Sequence, residues 1–232
     1  MVMIVSINQP AYMPWLGYFD RINKSDVHII LDNVQFEKNS VVNRNKIKTN
    51  QGWSWLTIPV KTKGEFGNLV IKDLEIDNTQ KWQHKHYVSL LNFYKKSTYF
   101  GEHNIWLEQF YKKEWKNLGP MLDISLKYLI KALGISTPLL NSSEMVAKGK
   151  KSDYILNLCL EAGATTYLSG PFGRDYLDID RFVRKGINVD FHDYSHPEYR
   201  QIYGEFIPYM SIVDLIFNEG PRSLEILTRR LN

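Results

Sequence analysis

The chain has 232 residues, 44% hydrophobic and 13% aromatic, with a formal net charge of +4 and an isoelectric point near 8.9. That composition excludes a disordered chain and is enough to build one sizeable core or two small domains. The charges are interspersed with no long basic run, which excludes a nucleic-acid arm and leaves the modest positive excess to favour an anionic small molecule or an acidic partner.

Residues 2–7 read as a buried strand, and Pro10 and Pro14 break any regular element after it. Leu16 to Asn23 reads as a short helix, with Leu16, Phe19 and Ile22 on one stripe, and Val27 to Leu31 as a second buried strand ending at Asp32. This strand–helix–strand order is a βαβ unit, which implies a parallel pair with its ligand end at the strand C-termini. "VVNRNKIK" covers residues 41–48, a strand is expected over 54–60, and "FGNLVIKDLEI" has the pattern of a bulged strand.

Helices are expected over Gln80–Tyr94, Ile105–Tyr111 and Met121–Leu133, the last ended by Gly134. Another runs from Ser152 to Ala162 and closes at Gly163. A strand over 165–170, a helix over Asp178–Lys185, a strand over 187–194 and a helix from Ser211 to Phe217 complete the chain. The pattern predicts one α/β domain over residues 1–232, with a mostly parallel sheet, flanking helices and a helical insertion over 80–150.

Three stretches carry candidate chemistry. "NQPAYMPWLGYF" follows the first strand, where α/β proteins place ligands. Its prolines stiffen the loop, Gly17 permits close approach, Asn8 and Gln9 offer amides, and Tyr12 and Trp15 offer stacking surfaces. The alternative for this stretch is an aromatic plug that packs the loop on the sheet. "LDNVQFEKNSVVNRNKIK" places Asp32 at a strand end, the usual position for a catalytic carboxylate, with Gln35, Asn43, Arg44 and Lys46 following. The two cations suit phosphate or carboxylate, and a solvated loop is the competing reading. "YLSGPFGRD" runs a strand into Ser169, Gly170, Gly173 and Arg174, an anion cradle or an ordinary strand–turn–helix link. It is neither a Walker motif nor G-x-G-x-x-G.

Histidine spacings do not fit a structural zinc site, and no metal is expected. His84, His86 and His192 are the histidines to weigh as acid–base groups. Cys159 lies between Leu158 and Leu160 on an expected helix and reads as a small buried hydrophobe. A single cysteine suits a reducing, cytoplasmic setting. The apolar start is too short for a signal peptide, and no run of about 18 apolar residues marks a membrane span.

Taken in order along nearly the whole chain, "NQPAYMPWLGYFDRI", "LDNVQFEKNSVVNRNKIK", "WLTIPV", "DNTQKWQHKHYVSL", "TTYLSGPFGRDYLD" and "SIVDLIFNEG" resemble the WbqC-like family. The resemblance implies a role in bacterial surface-polysaccharide synthesis, notably of O-antigen. It also implies acyl or aminoacyl transfer to the amino group of a nucleotide-linked sugar. The family commonly begins its first motif with His-Gln-Pro, where this chain has Asn8-Gln9-Pro10. An amide can orient a substrate but is no base at neutral pH.

A fold-level likeness to HIGH-type nucleotidylyltransferases rests on the Pro-containing first turn and the late "LSGPFGR" segment, without that signature's histidines.

The resulting expectation is a transferase that binds a nucleotide amino sugar between the first turn and the Ser169–Arg174 loop. Arg44, Lys46 and Arg174 would hold diphosphate, and Asp32, His84 or His86 would take the amine proton. No cofactor is expected. The donor would be an acyl or aminoacyl thioester, on an acyl or peptidyl carrier protein if carrier-bound. The alternatives are a nucleotidylyltransferase-like enzyme with Asp32 near magnesium and a non-catalytic nucleotide-sugar-binding protein.

Overall fold

Val5 and Ile7 of β1 (Ile4–Asn8) point to one face of a sheet and Ser6 to the other, and β1 is paired on both edges. On one side lies β2 (Val27–Ile30), in parallel register with Val5 opposite Val27. On the other lies β6 (Thr166–Ser169), with Val5 opposite Tyr167. The edges are β5 (Leu139–Asn141) beside β2 and β7 (Asn188–Phe191) beside β6, giving the parallel order β5-β2-β1-β6-β7. The description comes from a computed structural model and covers residues 2–62 and 69–229.

The order reverses between β1 and β6. The chain leaves β1 through α1 (Leu16–Asn23) to β2 on one face of the sheet. It returns from β5 through α5 (Lys151–Glu161) to β6, then through α6 (Ile179–Arg184) to β7, on the opposite face. Right-handed crossovers running in opposite directions put their helices on opposite faces. Accordingly Val5, Ile7 and Ile29 pack with Leu158, Cys159 and Phe182, while Leu16, Phe19 and Ile22 join the larger core on the other side. The result is a doubly wound α/β sheet, whose ligand end is the crevice at the reversal.

Between β2 and β5 the chain inserts an antiparallel hairpin, β3 (Arg44–Thr49) and β4 (Gly52–Thr57). Three helices follow: α2 (Trp82–Tyr94), α3 (Phe100–Lys112) and α4 (Leu118–Leu133). Much of the aromatic content is spent here. Trp106 stacks on Tyr128 with ring centroids 3.6 Å apart, joining α3 to α4. Phe217 of α7 (Ile212–Glu219) takes the edges of Tyr94 and Phe100. A short α8 (Ser223–Thr228) ends the described chain.

The expected helices are present. α3 starts five residues earlier than the apolar periodicity indicates, and α4 starts ahead of Met121, with Gly119 and Pro120 in a first turn whose N–H groups need no helical partner. β5 has no counterpart among the expected strands, being only three residues long. The expected bulged strand over 66–76 falls partly outside the described residues, and its described part holds a 3-10 turn, Ile71–Asp73. No helix among the described residues is long and apolar enough to cross a membrane.

Candidate active site

A cavity of about 910 Å³ opens at the point where the strand order reverses. Its volume is near the upper end of ligand pockets, which run about 300–1,000 Å³. The end of β1 and the first loop supply Asn8, Gln9 and Trp15, the turn after β6 supplies Ser169 and Gly170, and the strand exit of β7 supplies His192 and Tyr194.

The first loop is held from all sides. The Met13 carbonyl accepts from Asn45 Nδ2 at 2.6 Å and from Ser211 Oγ at 2.7 Å, and the Ile212 N–H donates to Pro14 at 2.8 Å. Met13 itself has φ 43°, a left-handed conformation that such over-determination sustains. Gly17 is required here, because a Cβ at that position would sit 2.3 Å from the Trp15 ring. The group that approaches this glycine is therefore the chain's own indole, laid over the start of α1. Trp15 in turn meets Tyr194 and Tyr209 at centroid distances of 5.5 and 5.7 Å, forming an aromatic wall on the cavity.

His192 and Arg21 line the cavity, each paired with a second polar side chain. Asp20 of α1 is fully buried, and its Oδ2 accepts from His192 Nε2 at 2.6 Å. Burial alone would raise the Asp20 carboxyl, but hydrogen bonds from His192 and Lys24 bring it below the usual carboxylate range. A carboxylate only accepts, so Nε2 carries a proton and Nδ1 is the ring nitrogen turned away from Asp20. That Nδ1 makes no hydrogen bond to the described protein, and the ring lines the cavity.

Beside it, Arg21 reaches back from α1 to Asn8, whose Oδ1 accepts from Nη2. Its guanidinium lies against Gly170, where a Cβ would be 2.2 Å from Nη1. Burial pushes this guanidinium below its ordinary value, with Tyr167, Tyr18 and Tyr176 acting in the opposite sense. Beneath α1, Ser25, Ser6 and His28 form a sealed chain of hydrogen bonds, 2.7 Å and 2.8 Å long. Burial and the Arg21 charge hold His28 neutral, with its pKa lowered to about 3.

Of the residues singled out in the sequence, Asn8, Gln9, Trp15, Gly17, Ser169, Gly170, Gly173 and His192 meet at this cavity, with Pro10 and Pro14 of the first loop. The others lie elsewhere. The Asp32 carboxylate accepts from Ser142 Oγ, Ser143 N and Ser143 Oγ at 3.0, 2.9 and 2.7 Å, tying the end of β2 to the end of β5. Arg174 makes a bidentate exposed pair with Asp193, 2.9 and 2.8 Å long. Arg44 and Lys46 lie over Trp55 and Trp53 on the hairpin, and Asn43 donates to the Ile58 carbonyl. Gln35 and His84 are exposed, away from the cavity.

Tyr12 and His86 are buried in the insertion. Tyr12 Oη lies 3.0 Å from His86 Nδ1, and Nε2 lies 3.1 Å from the Thr57 carbonyl, which only a protonated Nε2 can satisfy. Burial lowers the His86 pKa to about 4, so it is a neutral clamp on the first loop. Cys159 is buried, which pushes its thiol well up.

Asp20 carries a sequence signal in its periodicity, whereas Arg21 carries none. Asp20 is four residues after Leu16, on the apolar stripe of α1, and a charge on a buried stripe requires a partner. Among the described residues, no group of three or more His, Cys, Asp or Glu side chains is placed to hold a metal ion.

Fold and site together define a doubly wound α/β protein with a cavity at its topological switch point, the place where such folds put ligands. The chain belongs to the WbqC-like protein family, whose model matches residues 9–226. It is similar to the uncharacterized protein Rv1507c of Mycobacterium tuberculosis, at 40% identity over 225 residues and 96% of each chain. No solved structure matches it.

Proposed function

We propose that this protein transfers an acyl or aminoacyl group from a thioester to the amino group of a nucleotide-linked sugar, in the synthesis of a surface glycan such as O-antigen. The observation that carries this reading is the Asp20–His192 pair at the switch-point cavity, with Nδ1 of the imidazole open. A sugar amine is an ammonium ion near neutral pH and must lose a proton before it attacks. His192 Nδ1 accepts that proton, and the buried Asp20 carboxylate stabilises the imidazolium. The amine nitrogen then bonds to the thioester carbon, the carbon–sulfur bond breaks, the imidazolium gives its proton to the departing thiolate, and the freed Nδ1 takes the second proton from the nitrogen and passes it to solvent, leaving the neutral amide. The cavity holds the two reactants in register, the main requirement of such a reaction. The aromatic wall of Trp15, Tyr194 and Tyr209 offers stacking surface to a nucleobase.

The test is incubation with a panel of nucleotide-linked amino sugars and acyl thioesters, followed by mass spectrometry for the N-acyl product. Product formation that falls about 10²–10⁴-fold in His192→Gln supports the reading, since that is the usual contribution of a general base. Undiminished turnover in that variant overturns it.

A further inference from the structure

Among the described residues two arginines bury an Nε with no hydrogen-bond partner: Arg44, which lies over Trp55 on the hairpin, and Arg21, which lines the switch-point cavity. Arg174, Arg181, Arg222 and Arg229 each face a carboxylate near the surface. Arg21 makes no ion pair among the described residues, and its side chain donates instead to the neutral amide carbonyl of Asn8. Its Nε is buried without a hydrogen-bond partner. The carboxylates on the cavity wall do not serve it: Asp193 is held by Arg174, and Glu37 forms no ion pair with it. A partly buried guanidinium whose Nε has no partner is costly unless an acceptor of opposite charge meets its remaining donors.

The surroundings select the kind of acceptor. The guanidinium lines the cavity between the end of β1 and the turn after β6. In doubly wound sheets that crevice receives the phosphates of a nucleotide. The planar fork of an arginine matches phosphate oxygens two at a time. Gly170 lacks the Cβ that would occupy the space of Nη1, so the guanidinium can lie flat against the turn. Asn8 accepts a hydrogen bond without neutralising the charge, which holds the side chain in place and leaves its charge for a ligand.

We propose that the Arg21 guanidinium, held by Asn8 and seated against Gly170, is the subsite for the phosphate oxyanions of a nucleoside diphosphate. The proposal rests on the reading of the cavity as a nucleotide-sugar site and names the residue that recognises the phosphates. Asn8 is a positioning residue, and its amide is the feature that keeps the cation unneutralised.

The test measures binding alone and needs no acyl donor. Titration calorimetry of the full chain with inorganic pyrophosphate, UDP and uridine is expected to show pyrophosphate and UDP binding, with uridine at least tenfold weaker than UDP. Asn8→Asp places a carboxylate against Arg21. That variant is expected to melt at or above the wild-type temperature while its pyrophosphate affinity falls tenfold or more. Gly170→Ala displaces the guanidinium without removing its charge and is expected to weaken pyrophosphate similarly. Pyrophosphate affinity within twofold of wild type in Asn8→Asp, or no pyrophosphate binding by the wild type, overturns the subsite. Arg21-dependent pyrophosphate binding without any acyl product sustains the subsite and removes the transferase reading instead.

Discussion

The two halves of the sheet's carboxyl edge are finished in opposite ways. Where β2 and β5 end, Asp32 is answered by the Ser142 and Ser143 hydroxyls and the Ser143 N–H, so its carboxylate is satisfied within the protein. Where β1 and β6 end, Arg21 has an amide carbonyl in place of a carboxylate, and His192 has one nitrogen anchored and one open. Both places bring a charged side chain to strand ends, Asp32 from the end of β2 itself and Arg21 from α1. The difference is completeness: a satisfied group fastens two elements, whereas an unsatisfied one at a cavity is available to a ligand. The histidines repeat the contrast. His28 and His86 are sealed and neutral, while His192 stands on the cavity wall.

The sharpest way to break this comparison is by pH. His28 and His86 have folded pKa values lowered to about 3 and about 4, against 6.5 in the unfolded chain. Below pH 6.5 the unfolded chain binds protons that the folded one excludes. Stability is thus fully present above that pH and falls as the pH is lowered toward the folded values. Each histidine contributes about 1.4 kcal/mol per pH unit, or about 5 kcal/mol for both between pH 6.5 and 4.5. Urea unfolding across that range measures the slope, and His86→Gln is expected to reduce it by about half. A flat profile would mean that these histidines are not sealed framework groups.

Asp32→Ala gives the next largest effect. Losing the carboxylate that gathers Ser142 and Ser143 is expected to lower stability by about 2–3 kcal/mol, as for a small set of charge-assisted hydrogen bonds. Pyrophosphate affinity should be unchanged in the folded protein. A selective loss of ligand affinity with stability intact would move Asp32 from the framework to the site.

Arg174→Ala sits at the small end. The side chain is exposed, paired with Asp193 and placed over Phe191 outside the cavity lining. Exposed ion pairs contribute little, so the variant is expected to match wild type in melting temperature and in pyrophosphate affinity within error. A tenfold loss of affinity would show that the phosphate-binding surface extends beyond the Arg21 crevice.

Much of the framework was legible from local pattern. The spacing of Leu16, Phe19 and Ile22 marks the bounds of α1 as observed, and "IVSIN" and "VHII" read as buried strands because both of their faces are covered. "NQP" and "SG" mark the ends of β1 and β6, and both border the cavity. The charged residues were harder to place. Arg44, Lys46 and Arg174 have the chemistry of phosphate binders, yet the first two lie on tryptophans of the hairpin and the third on a surface carboxylate. Which partner a long side chain meets is decided by residues far away in sequence.

By itself, then, the sequence determined the helices and the longer strands of the sheet, the parallel pairing of β1 with β2 through α1, and the loops at the strand ends. Each follows from neighbours two to four positions apart, or from one short crossover. Tertiary structure alone decided that β6 lies beside β1, which brings Gly170 to Arg21 and completes the crevice. It alone joined Asp20 to His192 across 172 positions, and it left Arg21 facing an amide while Asp32 was satisfied by two serines. The reason is physical: periodicity records which face of an element is apolar, but the partner of a buried charge depends on strand order and on the direction in which each crossover returns.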